Sequence, residues 1–394
     1  MIKEELLGYM KDYDIFSSAF LEYLLECKNS TKEGKDKLLE DLFLKIKDLD
    51  CNDFRMFYIK SQYLWSNNQF KEAKDNIDKA IYLVNHINKY GIPENTVFFI
   101  IKDNEGVYRS YDYIKPIRKQ ISDVYHLAGI LYAKIGDETN SLKYYKISLY
   151  YNSFLKSEFD DKDSVNVFSF RKYNEHSLSD LINNTITVSP SSMMNDPFDS
   201  IINLWANSEN LKKTSIDPLQ ITPMCSAFSH YRIRSFSLGK GNSPTKSILM
   251  WSHYACEHVG FCVKYKLSRH FIKQEENENY EHMYLKKIKY KNNKINISIS
   301  RIDTDLAFAT KKIDWKYENE VRLIVYNPNK AEQFYGIELD KESEIEAIFF
   351  GYRCPDSTIN TIKNIFLNKK EKTPKFYKMI LDENDVYNLK YQTI

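Results

Sequence analysis

Two hydrophobic rhythms divide the chain. Over residues 1–157 apolar positions recur every three or four residues, the spacing that lines one face of a helix. Within Ser17 to Cys27 they fall at Phe20, Tyr23, Leu24 and Cys27, and after the polar turn Lys28 to Thr31 they resume at Leu38, Leu39, Leu42, Phe43 and Ile46. This pattern predicts a helical hairpin. A second hairpin is expected from Phe54 to Trp65 and from Phe70 to Val84, with Ser66 to Gln69 as its turn. A third has Tyr125, Ala128, Gly129 and Tyr132, a turn at Gly136 and Asp137, then Ser141, Tyr145 and Ser148.

Small residues at Ala73 and Ala80 let paired helices approach closely. Ala73 and Ser141 hold equivalent places 68 residues apart, twice the ~34-residue tetratricopeptide period. Between them, Thr96 to Ile101 followed by Asp103 to Gly106 reads as a strand and turn. The half therefore resembles a degenerate tetratricopeptide array, and that resemblance implies a concave surface for a protein partner.

A polar segment from Ser157 to Asn166 suits a linker. Beyond it the rhythm becomes that of short strands and helices. Val167 to Tyr173 alternates like a strand, Ser177 to Asn183 reads as a helix, and Thr185 to Ser189 as a second strand. Further strands are expected over Gly260 to Tyr265, Val321 to Tyr326 and Ile345 to Gly351, and a helix over Ser357 to Phe366. Without strict βαβ alternation, residues 165–394 are expected to form an α+β domain with a mixed or antiparallel sheet.

Composition narrows the function classes. The 394 residues are 43% hydrophobic, enough for two cores. Their 56 basic and 54 acidic side chains leave a net charge of +2, so bulk electrostatics do not nominate nucleic acid. The basic run Lys286 to Lys291 reads as a solvated loop or strand face. The N-terminal stretch carries acidic residues and no continuous apolar run, unlike a secretory signal. No segment approaches the ~18 apolar residues of a membrane span, and six scattered cysteines do not form a disulfide framework. The expectation is a cytoplasmic protein with no membrane partner.

Several clusters could carry chemistry. His253, Cys256, His258 and Cys262 lie within ten residues, but the spacing lacks a paired zinc knuckle, and no metal is expected. Ser226 to His230 offers a serine without a partner constellation. Asn195, Asp196, Pro197 and Phe198 read as a turn that could line a site, with Met193 and Met194 beside it as core. If Glu318 and Glu320 stand two apart on a strand, they share a face with Arg322. A guanidinium there would help keep Glu320 charged. An ordinary solvated strand face with ion pairs is the competing interpretation.

Three segments resemble one bacterial family of unknown function, DUF2971. They are F-S-F-R-K-Y through T-I-T-V-S-P-S-S-M-M-N-D-P-F-D, then S-I-L-M-W-S-H-Y-A-C-E-H-V-G-F-C-V-K-Y, then K-K-I-D-W-K-Y-E-N-E-V-R-L-I-V followed by A-I-F-F-G. The resemblance runs roughly from Val165 to Phe366. Its motif order is similar to that of the ADP-ribosyltransferases. That similarity implies NAD as substrate, gripped by Arg171 on the first strand, with Ser252 or Tyr254 supporting the nicotinamide pocket and Glu320 catalytic. Trp251, His253, Asn195 and Asp196 are implied as further lining, and Glu318 as a second carboxylate that orients or deprotonates the acceptor. Ser252 stands in W-S-H-Y rather than in the serine-x-serine setting usual there.

Three functions remain open at this level. One is an ADP-ribosyltransferase-like effector, a toxin or phage-defence protein acting on a protein or nucleic-acid acceptor. Another is an adaptor whose α+β domain binds a nucleotide or protein without chemistry. The third is a nucleic-acid-processing enzyme that works with a metal.

Overall fold

The computed structural model describes residues 16, 19–20, 22–23, 26–27, 30–49, 53–89, 100–102, 108–110, 117–153, 158–159, 161–190, 193–194, 226–274, 281–292, 308–327, 334–367, 372–383 and 385–394. The chain divides into two compact units, Met1–Ser153 with Asn210–Phe228 and Phe154–Glu209 with Ser229–Ile394.

The first unit is helical. The described residues between 16 and 27 are helical, and helices follow at α1 (Lys32–Ile46), α2 (Phe54–Ser66) and α3 (Phe70–Lys89). A small antiparallel hairpin pairs β1 (Ile100–Lys102) with β2 (Tyr108–Ser110), and helices α4 (Ile117–Lys134) and α5 (Glu138–Ser153) complete the unit. The hairpin falls where a strand and turn are expected, although 96–99 and 103–107 lie outside the described residues. Helix starts follow local chemistry: the Thr31 hydroxyl accepts from the Gly34 amide (3.2 Å) and the Asp53 carboxylate from the Arg55 amide (2.8 Å).

Two close approaches hold the hairpins. The Ser61 hydroxyl donates to the Ala73 carbonyl between α2 and α3, and the Ser141 hydroxyl to the Gly129 carbonyl between α5 and α4, each at 2.7 Å. A Cβ on Gly129 would lie 2.9 Å from the buried Tyr145 ring, so the small residue is what permits that approach. Tyr125 and Tyr132 of α4 donate to Asn85 and Asp78 of α3, both at 2.9 Å, tying one hairpin to the next.

The second unit is built on a mixed sheet. The unit's strands are β3 (Ser164–Arg171), β4 (Thr185–Pro190), β5 (Tyr231–Ser237), β6 (Phe261–Ser268), β7 (Lys273–Gln274), β8 (His282–Lys287), and β9 (Lys289–Lys291) with β10 (Thr310–Lys312), the last two a separate parallel pair. The strands continue with β11 (Glu320–Tyr326), β12 (Tyr335–Glu338), β13 (Glu344–Phe350), β14 (Lys375–Asp382) and β15 (Asp385–Thr393). The main spatial order is β15-β14-β13-β6-β3-β5-β11-β8-β7, with β4 on β5 and β12 on β4. The β13–β14 pair is parallel, and its connecting helix α8 (Asp356–Leu367) packs Ile359, Ile362 and Phe366 into the core.

Both faces of this sheet are covered. Along β6, Phe261, Val263, Tyr265 and Leu267 join one core with Val321, Leu323, Ile348 and Phe350, roofed by helix α6 (Glu175–Asn183). The alternate residues Phe168, Cys262 and Phe349 face a smaller cluster closed by Trp251 and Ala255, Trp251 lying on helix α7 (Ile248–Tyr254). The expected linker is shorter than its polarity suggests, because Ser164 already pairs with Ser268. The basic run 286–291 is only partly solvated: Lys286 is buried opposite Arg322, while Lys287, Lys289 and Lys291 are exposed.

One irregularity shapes the site. Strand β3 meets β5 at a single register, Phe168 opposite Ser237, and β4 reaches β5 only at Ser189–Ile233 and Pro190–Arg232. Among the described residues, 234–236 therefore have no strand partner on that edge, and the sheet forks there.

Candidate active site

The fork opens into a cavity of about 200 Å³. By strand alternation Ser235, Ser237 and Glu320 share one face while Arg234 and Phe236 take the other. A continuous sheet would separate these two sets. Because β3 and β5 part, both line one pocket, together with Ser169, Phe170, Ser189, Met250, Tyr254, Lys311 and Glu318.

The carboxylates are set by a short, strained path. Strand β10 ends at Lys312, a 3-10 turn spans Ile313–Glu318, and Asn319 adopts a left-handed conformation (φ 43°, ψ 52°) before β11 begins at Glu320. Glu318 is thus not on the strand, and the two carboxylates converge through the turn rather than through a common strand face. Both reach Lys311, whose Nζ donates to Glu318 Oε2 at 2.8 Å and to Glu320 Oε2 at 3.3 Å. The Trp315 ring lies 4.7 Å from the same Nζ.

Glu320 and Arg322 do share a face of β11, as expected. Arg322 Nε donates to Glu320 Oε1 (2.7 Å), Nη2 to Oε2 (3.2 Å) and Nη1 to the Phe308 carbonyl (2.9 Å). With Glu318 and Glu320 4% and 3% exposed and Arg322 fully buried, this is not a solvated strand face.

The two carboxyls are pulled in opposite directions. Burial alone would raise Glu320, but the positive charges of Arg322 and Lys311 hold it at about 2. Burial, followed by the negative charge of Glu320, raises Glu318 above its ordinary value against the opposing pull of Lys311. The Tyr254 hydroxyl donates a short bond to Glu318 Oε1, and burial together with that bond pushes the phenol far up. The backbone amide of Glu320 donates to the Tyr290 hydroxyl at 2.8 Å, which fixes the first residue of β11.

The remaining expected residues separate into three groups. Tyr254 joins Glu318 and Glu320 in the pocket wall. Arg171, Ser252, Trp251 and His253 are outside that lining. Arg171 pairs with Asp180 at 2.5 Å, both buried, and Asp180 also accepts from Thr185 and Thr187. Trp251 is a core residue whose indole donates to the Thr245 carbonyl (2.7 Å) and packs edge-on against Phe170. Ser252 lies 3.4 Å from His258 Nε2, and His253 Nδ1 contacts the Tyr317 hydroxyl at 2.9 Å on the exposed side. Asn195 and Asp196 lie outside the described residues. Met193 and Met194 line the pocket, and Met193 is exposed rather than core.

Sequence reasoning missed Lys311, Arg234 and the serines of the fork. Lys311 had a faint signal, a lysine shortly before a tryptophan and the glutamate pair. Among the described residues no group of three His, Cys, Asp or Glu could hold a metal ion, and Cys262 is a buried thiol pushed well up by burial. The loop after α7 is tightly constrained: Cys256, Glu257 and His258 all have positive φ, and a Cβ on Gly260 would sit 2.1 Å from the Arg171 carbonyl.

These features define an α+β domain with a polar pocket walled by paired, buried carboxylates. Residues 250–323 match the model of a family described as a protein of unknown function, DUF2971. The match runs from α7 into β11 and contains Tyr254, Lys311, Glu318 and Glu320, a narrower span than the resemblance seen from Val165 to Phe366. No curated protein matches the chain significantly. No solved structure matches it significantly either. No helix among the described residues is long and apolar enough to cross a membrane.

Proposed function

We propose that the α+β domain cleaves the N-glycosidic bond of NAD and transfers ADP-ribose to an acceptor. One observation carries this reading: two carboxyls in one pocket wall share Lys311 yet are shifted in opposite directions from the ordinary carboxyl range. Environments that push paired carboxyls apart divide charge stabilisation from proton transfer.

In this reading the bond between ribose C1′ and the nicotinamide nitrogen breaks, and the electron pair leaves with nicotinamide. The ribose develops oxocarbenium character, as glycosidic cleavage generally does. Glu320, kept ionised by Arg322 and Lys311, supplies the stabilising negative charge. Lys311 and Arg322 hold both of its oxygens in a fixed orientation. Glu318, raised by burial, is the stronger base and takes the proton of the attacking acceptor, with Tyr254 fixing its orientation.

The helical unit, read as a degenerate tetratricopeptide array, would bind the protein partner that targets or restrains this activity. Support comes from the paired bonds Ser61–Ala73 and Gly129–Ser141, whose corresponding positions are offset by twice the ~34-residue repeat. An effector of this construction fits a cytoplasmic toxin or phage-defence role.

The test is nicotinamide release from NAD by the full chain, beside Glu318→Gln and Glu320→Gln. Wild type should release nicotinamide and each variant should lose roughly 100-fold or more. Equal rates in wild type and Glu318→Gln would overturn the assignment. A second reading, a nucleotide-binding adaptor without turnover, is favoured by one feature: Arg171, the expected NAD grip, is already engaged by Asp180.

A further inference from the structure

The fork adds a second cation, Arg234, to a pocket wall that already holds Lys311 with Glu318 and Glu320. Arg234 lines the cavity, and its Nη2 donates to the Ser169 hydroxyl at 2.5 Å. Burial and the neighbouring charge of Arg171 pull it down to about 10, so it remains a cation at neutral pH. Asp180 is the carboxylate that acts on both guanidiniums, and it is already bonded to Arg171 and Thr187. Nη1 of Arg171 is buried with no hydrogen-bond partner. Two cations thus share one anion.

One hydroxyl of the fork is within reach. Half-buried Ser189 joins Arg234 in the wall, whereas the Ser169 hydroxyl is buried and accepts from Arg234, and the Ser235 hydroxyl is buried beside Glu320. A guanidinium with a hydroxyl donor beside it suits a tetrahedral oxyanion far better than a neutral or cationic group.

We propose that the gap between β3 and β5 binds the phosphoryl groups of a nucleotide ligand, with Arg234, held in place by Ser169, as the principal cation and Ser189 as a hydroxyl donor. The assignment rests on the reading of this pocket as a ligand site. It moves anion recognition from Arg171 on β3 to Arg234 on β5. It does not require turnover, since binding of the phosphate-bearing half precedes any bond breaking.

The experiment is calorimetric titration of the full chain with ADP-ribose, with adenosine and inorganic pyrophosphate as separate arms. Arg234→Gln removes the cation, and Ser189→Asp places a carboxylate in the wall at a half-buried strand end. ADP-ribose should bind wild type and weaken roughly 10- to 100-fold in both variants, the range expected for charge-assisted hydrogen bonds. Pyrophosphate should compete with ADP-ribose, whereas adenosine should not distinguish wild type from Ser189→Asp. If Arg234→Gln does not fold, Ser189→Asp alone decides. Equal ADP-ribose affinity in wild type and folded variants overturns the proposal, as does no binding to wild type at millimolar ligand. Arg234-dependent binding without NAD cleavage supports the subsite and removes the transferase reading. NAD cleavage with an unchanged KM in Arg234→Gln does the reverse.

Discussion

The hydroxyl of Tyr254 donates to Oε1 of Glu318, joining the end of α7 to the turn before β11 across 64 residues of sequence. The bond links the two motifs W-S-H-Y and W-K-Y-E in one pocket wall. It also stabilises the ionised form of a carboxyl that burial works to protonate.

Tyr254→Phe removes that donor while keeping the ring. We expect Glu318 to rise further, so the acid limb of nicotinamide release moves to higher pH. Turnover should fall roughly 10- to 100-fold through misorientation, and stability by about 1–3 kcal/mol. A pH–rate profile with an unmoved acid limb would contradict the role given to this bond.

The pocket was only partly legible beforehand. Strands β3, β6, β11 and β13 announce themselves by alternation, and the helical hairpins by their period. Strand β5 does not, because Arg232 and Arg234 interrupt its apolar pattern, and arginines are ordinarily exposed. Strand β8 is buried almost throughout, so H-M-Y-L-K-K shows no period at all. The glutamate pair was visible, but Lys311 looks like any surface lysine until the turn at Asn319 folds both carboxylates onto it. Arg171 is legible as a cation but not as the partner of Asp180. Its partner Asp180 sits in a separate helix, and only the folded chain brings them together.

Acid stability should reveal Glu320. Its carboxyl is held at about 2 against an ordinary 4.5, so its contribution is complete above pH 4.5 and is lost as pH falls toward 2. Glu318 has the opposite sign: its raised value favours the folded state at low pH, and that benefit declines as pH rises above 4.5. Urea midpoints measured from pH 2 to 7 should show a flatter acid limb in Glu320→Gln. An unchanged limb would contradict the assignment.

Arg322 is fully buried, so its removal strands a charge. Arg322→Met should cost about 3–5 kcal/mol because Glu320 loses its principal partner. Combining it with Glu320→Gln should recover part of that loss, since the uncompensated carboxylate is gone. A double-mutant cycle in urea measures the coupling, and strictly additive losses would show that the pair is not coupled.

Arg171→Ala should act on folding rather than on substrate affinity, destabilising by about 3–5 kcal/mol through the stranded Asp180. Ser252→Ala, outside the pocket, should leave nicotinamide release within about twofold, consistent with the small effect of substitutions away from packed features. Parallel measurement of melting temperature and KM separates the two effects. A folded Arg171→Ala protein with only a raised KM would return Arg171 to the ligand.

Glu318 and Glu320 should titrate on opposite sides of the ordinary glutamate value within one pocket. Carbon-13 NMR titration of glutamate-labelled protein, with Glu318→Gln and Glu320→Gln used to assign the two carboxyls, reads this without any acceptor or trigger. The account predicts that Glu320 titrates at about 2 and Glu318 above 4.5. Two carboxyls titrating together near 4.5 would contradict it.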